Sequence, residues 1–299
     1  MMKQLQQPLL LIGGGTMGRA IIEGAVRAGV LAAERLLVHD PDPARHAPFE
    51  AVGAVCTTSL PEALARLHAL ETGPCPGSVA GGDGGGGMIL LAVKPQVLGA
   101  VAEAMDEAAG SSVLVRPWLV MSILAGTPTD RLVEAIGGRV VRLMTNTPAR
   151  IGQGMTAMCP ATSEGAIPTA DDLAATRTLF AAVGRVIDLP EEMLDAFTAV
   201  AGSGPAYLFH LAEGMAAGAE AVGFERTQAL DLVRATIAGA AGLLEASPGT
   251  DPADLRAMVT SAGGTTAAAV GVLEARAMRN TLRDAIIAAK DRGHALAGE

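Results

Sequence analysis

Three glycines, Gly13, Gly15 and Gly18, have the spacing Gly-x-Gly-x-x-Gly where an apolar run meets a helical pattern. In such a turn the first glycine permits a tight bend, the second lets a phosphate approach the backbone, and the third lets the helix pack on the strand. The free N–H groups at the start of the helix then bind the phosphates. The sequence therefore predicts that residues 13–18 bind a dinucleotide, rather than form a glycine-rich turn without a ligand.

An acidic residue at the end of the next predicted strand bears on which dinucleotide would bind. Asp40 follows Gly18 at about the 20-residue distance of the acid that accepts a hydrogen bond from the ribose 2′-hydroxyl of NAD. Asp40 also begins an Asp-Pro turn, which is a purely structural role, and Arg45 is near enough to favour NADP. Both interpretations of Asp40 stay open, and the predicted cofactor is NADPH or NADH.

A second glycine pair, Gly263-Gly264, lies between hydroxyl residues just before a helical pattern. Exposed N–H groups at the positive end of a helix form a cradle for an anion such as a carboxylate. The structural alternative is that Thr265 or Thr266 caps the helix. Because one threonine is enough for a cap and hydroxyl residues stand on both sides of the glycines, the segment favours a carboxylate-binding loop.

Residues for acid–base or metal chemistry form no recognisable pattern. The five histidines and three cysteines lack metal-ligand spacing, so no metal site is predicted. The long helix predicted directly after Gly202 contains no lysine, where a 3-hydroxyacid dehydrogenase of similar architecture would carry its acid–base residue. Reduction of an imine fits this pattern, because a protonated C=N bond is already electrophilic and hydride delivery needs mainly orientation.

Strands that alternate with helices must position the glycine turn at residues 13–18. Unbroken apolar runs fit strands of a parallel sheet that is covered on both faces. The pattern predicts an α/β, Rossmann-like N-terminal domain over residues 1–168, with a doubly wound, mostly parallel sheet. A Gly- and Pro-rich stretch at 73–87 predicts a mobile surface insertion. The predicted strands are Leu9–Ile12, Leu36–Val38, Val52–Cys56, Met88–Val93, Leu119–Ile123 and Arg139–Leu143.

From residue 169 onward helical patterns predominate, after a last short strand at Arg185–Leu189. They predict an all-α C-terminal domain over 169–299, with a break or kink near Gly202-Ser203-Gly204-Pro205. Apolar helices of this kind favour burial against a partner subunit, although packing within one chain is the alternative. The principal predicted helices are Thr198–Val222, Thr227–Ala246, Asp251–Thr260, Thr265–Ala275 and Arg276–Leu296.

Composition narrows the class of protein further. The 299 residues are 50% hydrophobic and 18% charged, which excludes a disordered chain. A net charge of −9 and 2% aromatic residues disfavour a nucleic-acid partner. The longest apolar runs are far below the roughly 18 residues that span a membrane, and no signal peptide is predicted. Three scattered cysteines fit a reducing cytoplasm.

Five ordered motifs give the chain a resemblance to the pyrroline-5-carboxylate reductase family over nearly its whole length. The match at Val259–Thr266, with Leu273-Glu274 following, is the strongest. The other four are Gly13–Gly18, Ala92-Val93-Lys94-Pro95-Gln96, the segment from Arg142 to Pro148, and Gly202-Ser203-Gly204-Pro205-Ala206-Tyr207.

The resemblance implies reduction of 1-pyrroline-5-carboxylate to L-proline with NADPH or NADH, the last step of proline biosynthesis, in a cytoplasmic homodimer or an oligomer of dimers formed through the helical domain. It implies that Thr266 hydrogen-bonds the ring nitrogen and orients the substrate. The implied substrate-binding residues are Ser261, Gly263, Gly264, Thr265, Thr266 and Glu191. The implied cofactor-binding residues are Gly13, Gly14, Gly15, Thr16, Met17, Gly18, Asp40, Ala92, Val93, Lys94, Pro95, Ile123, Leu124 and Ala125.

The sequence also departs from the family pattern. Ala262 replaces the usual proline of the glycine loop, Thr145 stands where proline is usual, and the 73–87 insertion is unusual. Arg142 is expected to pair within its domain. These departures leave the cofactor preference open, and the sequence fixes neither the oligomer beyond a dimer nor feedback by proline. The alternatives are a non-catalytic NAD(P)H sensor and a reductase of another small cyclic imine or oxo acid.

Overall fold

The computed structural model describes residues 3–72, 86–109 and 118–297. The chain divides into two compact units: unit 1 contains Met1–Gly202 and Lys290–Glu299, and unit 2 contains Ser203–Ala289. The predicted domain boundary at residue 168 stays a prediction. Apart from Gly86 and Gly87, the predicted insertion at 73–87 lies outside the described residues.

Within the described residues, unit 1 contains a single eight-stranded sheet in the order β3-β2-β1-β4-β5-β6-β7-β8. The six strands from β3 to β6 are parallel, β7 is antiparallel to β6, and β8 is parallel to β7. This confirms the predicted Rossmann-like, mostly parallel sheet. The strands are β1 (Leu9–Ile12), β2 (Leu36–His39), β3 (Val55–Thr57), β4 (Met88–Leu91), β5 (Leu119–Ser122), β6 (Arg139–Met144), β7 (Gly154–Pro160) and β8 (Gly184–Asp188).

Helices cover both faces of this sheet, which is why its strands read as unbroken apolar runs. In β1, Leu9 and Leu11 pack in one core cluster and Leu10 and Ile12 in another, and all four side chains are fully buried. The helices of unit 1 are α1 (Thr16–Arg27), α2 (Ala47–Glu50), α3 (Leu60–Thr72), α4 (Leu98–Ala109), α5 (Thr129–Ile136), α6 (Ala170–Ala181) and α7 (Leu194–Phe197).

Strand β7 is the one element of the sheet that the sequence pattern did not predict. Its residues, Gly-Met-Thr-Ala-Met-Cys-Pro, are poor in the β-branched and aromatic side chains that favour strands. Pairing on both sides, with β6 and β8, stabilises it despite that composition. The strand shows how tertiary context overrides local propensity.

A π-helical turn at Thr198–Gly202 ends unit 1, and α8 begins at Gly204. This confirms the break that the sequence predicted near Gly202. The described helices of unit 2 are α8 (Gly204–Ala221), α9 (Arg226–Ala246), α10 (Pro252–Met258) and α11 (Thr265–Ala275), and α12 (Met278–Ala297) runs across the division at Ala289. Among the described helices, none combines the length and the apolar character needed to cross a bilayer.

Candidate active site

A cavity of about 1250 Å³ opens in unit 1 where the parallel strands end. It is lined by the loop after β1 and by residues that follow β2, β3, β4 and β5. The strand order reverses between β1 and β4. Ligands of doubly wound sheets bind at that switch point, beyond the carboxyl ends of the strands.

Close packing explains two of the three motif glycines. Gly13 has φ +105°, and a Cβ there would lie 2.7 Å from the carbonyl oxygen of Ala92. A Cβ at Gly18 would lie 2.5 Å from the carbonyl oxygen of Gly13, so this glycine lets α1 pack against the loop. Neither position accepts a side chain without moving backbone.

The remaining motif glycine, Gly15, leaves room for a ligand. Nothing lies within 4 Å of a Cβ built on Gly15, which is the residue that precedes α1. The N-terminus of α1 has no side-chain cap and no acidic residue in its first turn. Its N–H groups are therefore available to an anion. This open cradle and the size of the cavity fit the pyrophosphate of a nicotinamide dinucleotide.

The structure brings most of the predicted cofactor residues to the cavity. Two do not line it: Gly18 packs beneath the loop, and Leu124 is 1% exposed in the core. Their contribution is to hold the loop and the chain after β5 in place. The predicted residues that line the cavity are Gly13, Gly14, Gly15, Thr16, Met17, Asp40, Ala92, Val93, Lys94, Pro95, Ile123 and Ala125.

The carboxylate of Asp40 is fixed by backbone donors. Oδ2 accepts a hydrogen bond from the Gly14 N–H at 2.8 Å, and Oδ1 accepts one from the Asp42 N–H at 2.9 Å. Arg45 Nη1 lies 3.2 Å from Oδ2. Asp40 thus forms the predicted turn and also lines the cavity, so the two interpretations of this residue are compatible.

Sequence reasoning missed much of the wall beside Asp40. Because β2 and β3 are neighbouring parallel strands, their carboxyl ends meet at one edge and bring the next residues of the chain together. That topology was the signal that could have found them. The additional residues on this wall include His39, Pro41, Thr58 and Pro61.

The second predicted motif lies in unit 2, between α10 and α11. Gly263 has φ +71°, and Gly264 is the N-cap of α11. A Cβ at Gly264 would lie 2.5 Å from Ser261 Oγ, so a side chain there would displace that hydroxyl. Within the described part of the chain no side chain caps α11, and therefore neither Thr265 nor Thr266 plays the alternative capping role. The first-turn N–H groups and nearby hydroxyls are left as donors to a ligand.

Glu191 has protein partners in the structure. Its Oε1 accepts from the Thr129 N–H at 2.7 Å, its Oε2 accepts from the Thr129 hydroxyl at 2.6 Å, and Arg142 Nη1 lies 2.9 Å from Oε1. Arg142 thus pairs with a residue beyond the predicted N-terminal domain of residues 1–168, although both residues belong to unit 1. Burial raises the pKa of Glu191, but the hydrogen bonds from Thr129 and Arg142 outweigh it and hold this pKa below its ordinary value. The contact of Glu191 with substrate stays a prediction.

Cysteine and metal chemistry have no support in the described residues. Burial raises the pKa of the Cys56 and Cys159 thiols to about 11, so both are protonated at neutral pH. No cluster of His, Cys, Asp and Glu in the described ranges is arranged to hold a metal ion.

The fold and the cavity define the chain as a dinucleotide-binding protein of the Rossmann class with an additional helical unit. Residues 191–296 match the family described as pyrroline-5-carboxylate reductase dimerisation. The pyrroline-5-carboxylate reductase of Synechocystis sp. is 36% identical over 96% of this chain and 97% of its own length. That of Methanosarcina acetivorans is 33% identical over 97% of this chain and 98% of its own. The chain belongs to the pyrroline-5-carboxylate reductase family.

Solved structures show the same fold. The Coxiella burnetii pyrroline-5-carboxylate reductase superposes with a TM-score of 0.79 at 28% identity, covering 98% of this chain and 99% of that one. A Plasmodium falciparum pyrroline carboxylate reductase with NADP bound also has a TM-score of 0.79, at 24% identity, covering 99% and 100%. The fold predicted from the sequence is thereby confirmed, as is the resemblance.

Proposed function

We propose that this chain reduces 1-pyrroline-5-carboxylate to L-proline with NADPH or NADH, as the last step of proline biosynthesis. One observation carries the proposal: a chain of this family combines a dinucleotide-sized cavity in unit 1 with an uncapped, hydroxyl-rich donor loop in unit 2. A protein that only sensed the dinucleotide would not need the second of these.

The proposed chemistry divides between the two units. The reduced nicotinamide, when bound, supplies the hydride. Gly15 and the first turn of α1 hold the pyrophosphate, and Ala92–Pro95, Ile123 and Ala125 line the nicotinamide end of the cavity. Apart from Lys94, each of these contributions rests on backbone or apolar surface, which orients the cofactor without taking part in bond-making.

The glycine loop is proposed to bind the imino acid. Ser261, Gly263, Gly264 and Thr265 place donors around the carboxylate, and the Thr266 hydroxyl hydrogen-bonds the ring nitrogen. A protonated imine already carries the charge that makes its carbon electrophilic, so the loop needs to orient the ring rather than transfer a proton to it.

Glu191 is proposed to act through other residues rather than by touching the reacting atoms. Thr129, the first residue of α5, donates hydrogen bonds to both oxygens of the Glu191 carboxylate. A carboxylate at that position stabilises the positive end of the helix. The chain after β5, which lines the cavity at Ile123 and Ala125, leads directly into α5. Glu191 would therefore be a positioning residue for that wall.

The active form is proposed to be a homodimer or an oligomer of dimers, located in the cytoplasm. The helices of unit 2 expose large apolar side chains that a second copy would bury. The three cysteines are scattered along the sequence without the pattern of a disulfide framework, which suits a reducing compartment.

The deciding experiment mixes the purified protein with 1-pyrroline-5-carboxylate and follows loss of NADH or NADPH absorbance, with L-proline measured as the product. Imine-dependent oxidation of the cofactor with formation of L-proline supports the proposal. Tight binding of either dinucleotide without turnover would contradict it and favour the sensor.

A further inference from the structure

We infer that Asp40 and Arg45 make the cofactor cavity selective for NADH over NADPH. The inference rests on the proposed function, because it concerns the same dinucleotide site. In folds of this class the residue at the end of β2 faces the ribose that carries either a 2′-hydroxyl or a 2′-phosphate. The charge and rigidity of that corner therefore decide between the two cofactors.

Asp40 is a preorganised acceptor rather than a mobile charge. Only 3% of its side chain is exposed, although the residue lines the cavity. The Gly14 and Asp42 N–H groups fix both carboxylate oxygens. A carboxylate has about four acceptor positions, and Gly14, Asp42 and Arg45 use three of them. One remains for a hydroxyl donor, whereas a phosphate has no proton to offer at neutral pH.

Arg45 is already committed to carboxylates. Its Nη1 lies 3.2 Å from Asp40 Oδ2, and its Nε lies 3.5 Å from Asp42 Oδ2. Asp40, Asp42 and Arg45 together carry a formal charge of −1. A 2′-phosphate adds close to two negative charges, and at this corner it would lie beside two carboxylates that share a single arginine.

His39 adds little positive charge to this corner. Burial lowers the pKa of His39, so its ring is neutral at pH 7. His46 is buried, and its Nε2 lies 2.9 Å from the carbonyl oxygen of Asp40, which accepts the hydrogen bond. Among the described residues that line the cavity, the remaining basic side chains are Arg19, which pairs with Glu23 at 2.7 Å, and Lys94, which follows β4.

The test measures binding of NADH and of NADPH by isothermal titration calorimetry, without imine. The native protein is expected to bind NADH at least about tenfold more tightly, the effect of one charge-assisted hydrogen bond. Asp40→Asn, which keeps the shape of the side chain, is expected to remove most of this preference. Asp42→Asn removes the same charge from a side chain that does not line the cavity, and its effect is expected to be only about twofold to threefold.

The possible outcomes separate the selectivity from the proposed function. Equal or tighter binding of NADPH by the native protein overturns the inference, whatever the variants do. An equal loss of the preference for NADH in Asp40→Asn and Asp42→Asn would overturn the specific role of Asp40, because it would show a general effect of charge. Failure to bind either dinucleotide would refute the proposed function, and the inference with it. Imine turnover, measured separately, tests the function alone.

Discussion

The two units bury their apolar side chains to very different extents. In unit 1, strands β1 and β4 are buried along their whole length, and two core clusters cover the faces of the sheet. In the described part of unit 2 the buried residues are Ala216, Ala229 and Val233, while Phe209 is 64% exposed. Unit 1 can therefore form its cavity from its own core, whereas unit 2 leaves apolar surface that the same chain does not cover.

The difference extends to how each unit would bind its ligand. The cofactor cavity uses backbone that is held by close contacts, as at Gly13 and Gly18. The loop at 261–266 is largely exposed, and no described side chain accepts a hydrogen bond from its donors. Substitutions at the close-packed glycines of unit 1 should thus affect stability and cofactor binding together, whereas substitutions of the hydroxyl residues in the loop should affect turnover alone.

The largest expected effect on turnover comes from Thr266→Ala. Loss of one positioned donor should lower kcat/KM for the imine about 100-fold, while the affinity for NADH stays unchanged because the cavity belongs to unit 1. Steady-state kinetics and calorimetry measure the two quantities. Thr236→Ala is the matched control, since that exposed hydroxyl in the same unit bonds only to the Leu232 carbonyl at 2.8 Å. Unaltered turnover by Thr266→Ala would remove this residue from the site.

A substitution at Gly18 tests the rigidity of unit 1. Gly18→Ala places a Cβ 2.5 Å from the Gly13 carbonyl oxygen, which should lower the free energy of unfolding by about 3 kcal/mol and weaken dinucleotide binding. Denaturant unfolding and calorimetry measure both effects. Gly99→Ala meets nothing within 4 Å and should change the free energy of unfolding by less than about 1 kcal/mol. Similar results for the two variants would contradict the packing argument.

The exposed apolar surface of unit 2 gives a prediction about assembly. Phe209→Glu should weaken self-association about thirtyfold or more, because a charge replaces an aromatic side chain that a partner copy would bury. Sedimentation over a range of protein concentrations measures this. Ile151→Glu introduces the same charge at a 71% exposed position of unit 1 and should leave the oligomer intact. A native protein that is monomeric at all concentrations would refute the proposed dimer.

The smallest expected effect is the loss of unfolding free energy caused by Glu191→Gln, which shrinks further in acid. Because the pKa of Glu191 lies below its ordinary value of 4.5, its stabilising contribution is fully present above pH 4.5 and is lost as the pH falls through the lowered pKa. Glu191→Gln should therefore cost about 1 kcal/mol of unfolding free energy at pH 7 and progressively less in acid. Denaturant unfolding at several pH values measures this difference.

The same variant separates a positioning role from substrate contact. If Glu191 acts through Thr129, the KM for the imine should change little. A rise in this KM of about tenfold or more would instead support the direct contact that the family resemblance implies. Glu192→Gln, a change at the adjacent exposed residue, should alter neither stability nor KM.

The sequence predicted the parts of the molecule whose local pattern has one physical cause. The run Leu9–Ile12 has no polar position because both sheet faces are covered, and the spacing of Gly13, Gly15 and Gly18 follows from the turn itself. Strand β7 was missed because its stability comes from two neighbouring strands rather than from its own residues. Tertiary partners cannot be read from such a pattern.

The candidate site also contains residues that the sequence pattern reveals and residues that it does not. The cofactor motif near the N-terminus was recognisable because its residues are consecutive. By contrast, Glu191 meets Thr129 and Arg142 across 62 and 49 positions of the chain, and no spacing rule connects them. Asp40 was ambiguous for a related reason: the hydrogen bond from Gly14, which lies 26 positions away, reveals how its carboxylate is held.

Trp118 and Tyr207 give this chain a built-in pair of optical labels. The chain has one tryptophan and one tyrosine, and they fall in different units. Trp118 comes just before β5, and its Nε1 donates a hydrogen bond to the Glu71 carboxylate at 3.0 Å. Tyr207 lies in α8. Selective excitation of the indole therefore follows loss of structure in the sheet, while the phenol absorbance follows the helices, without any engineered dye.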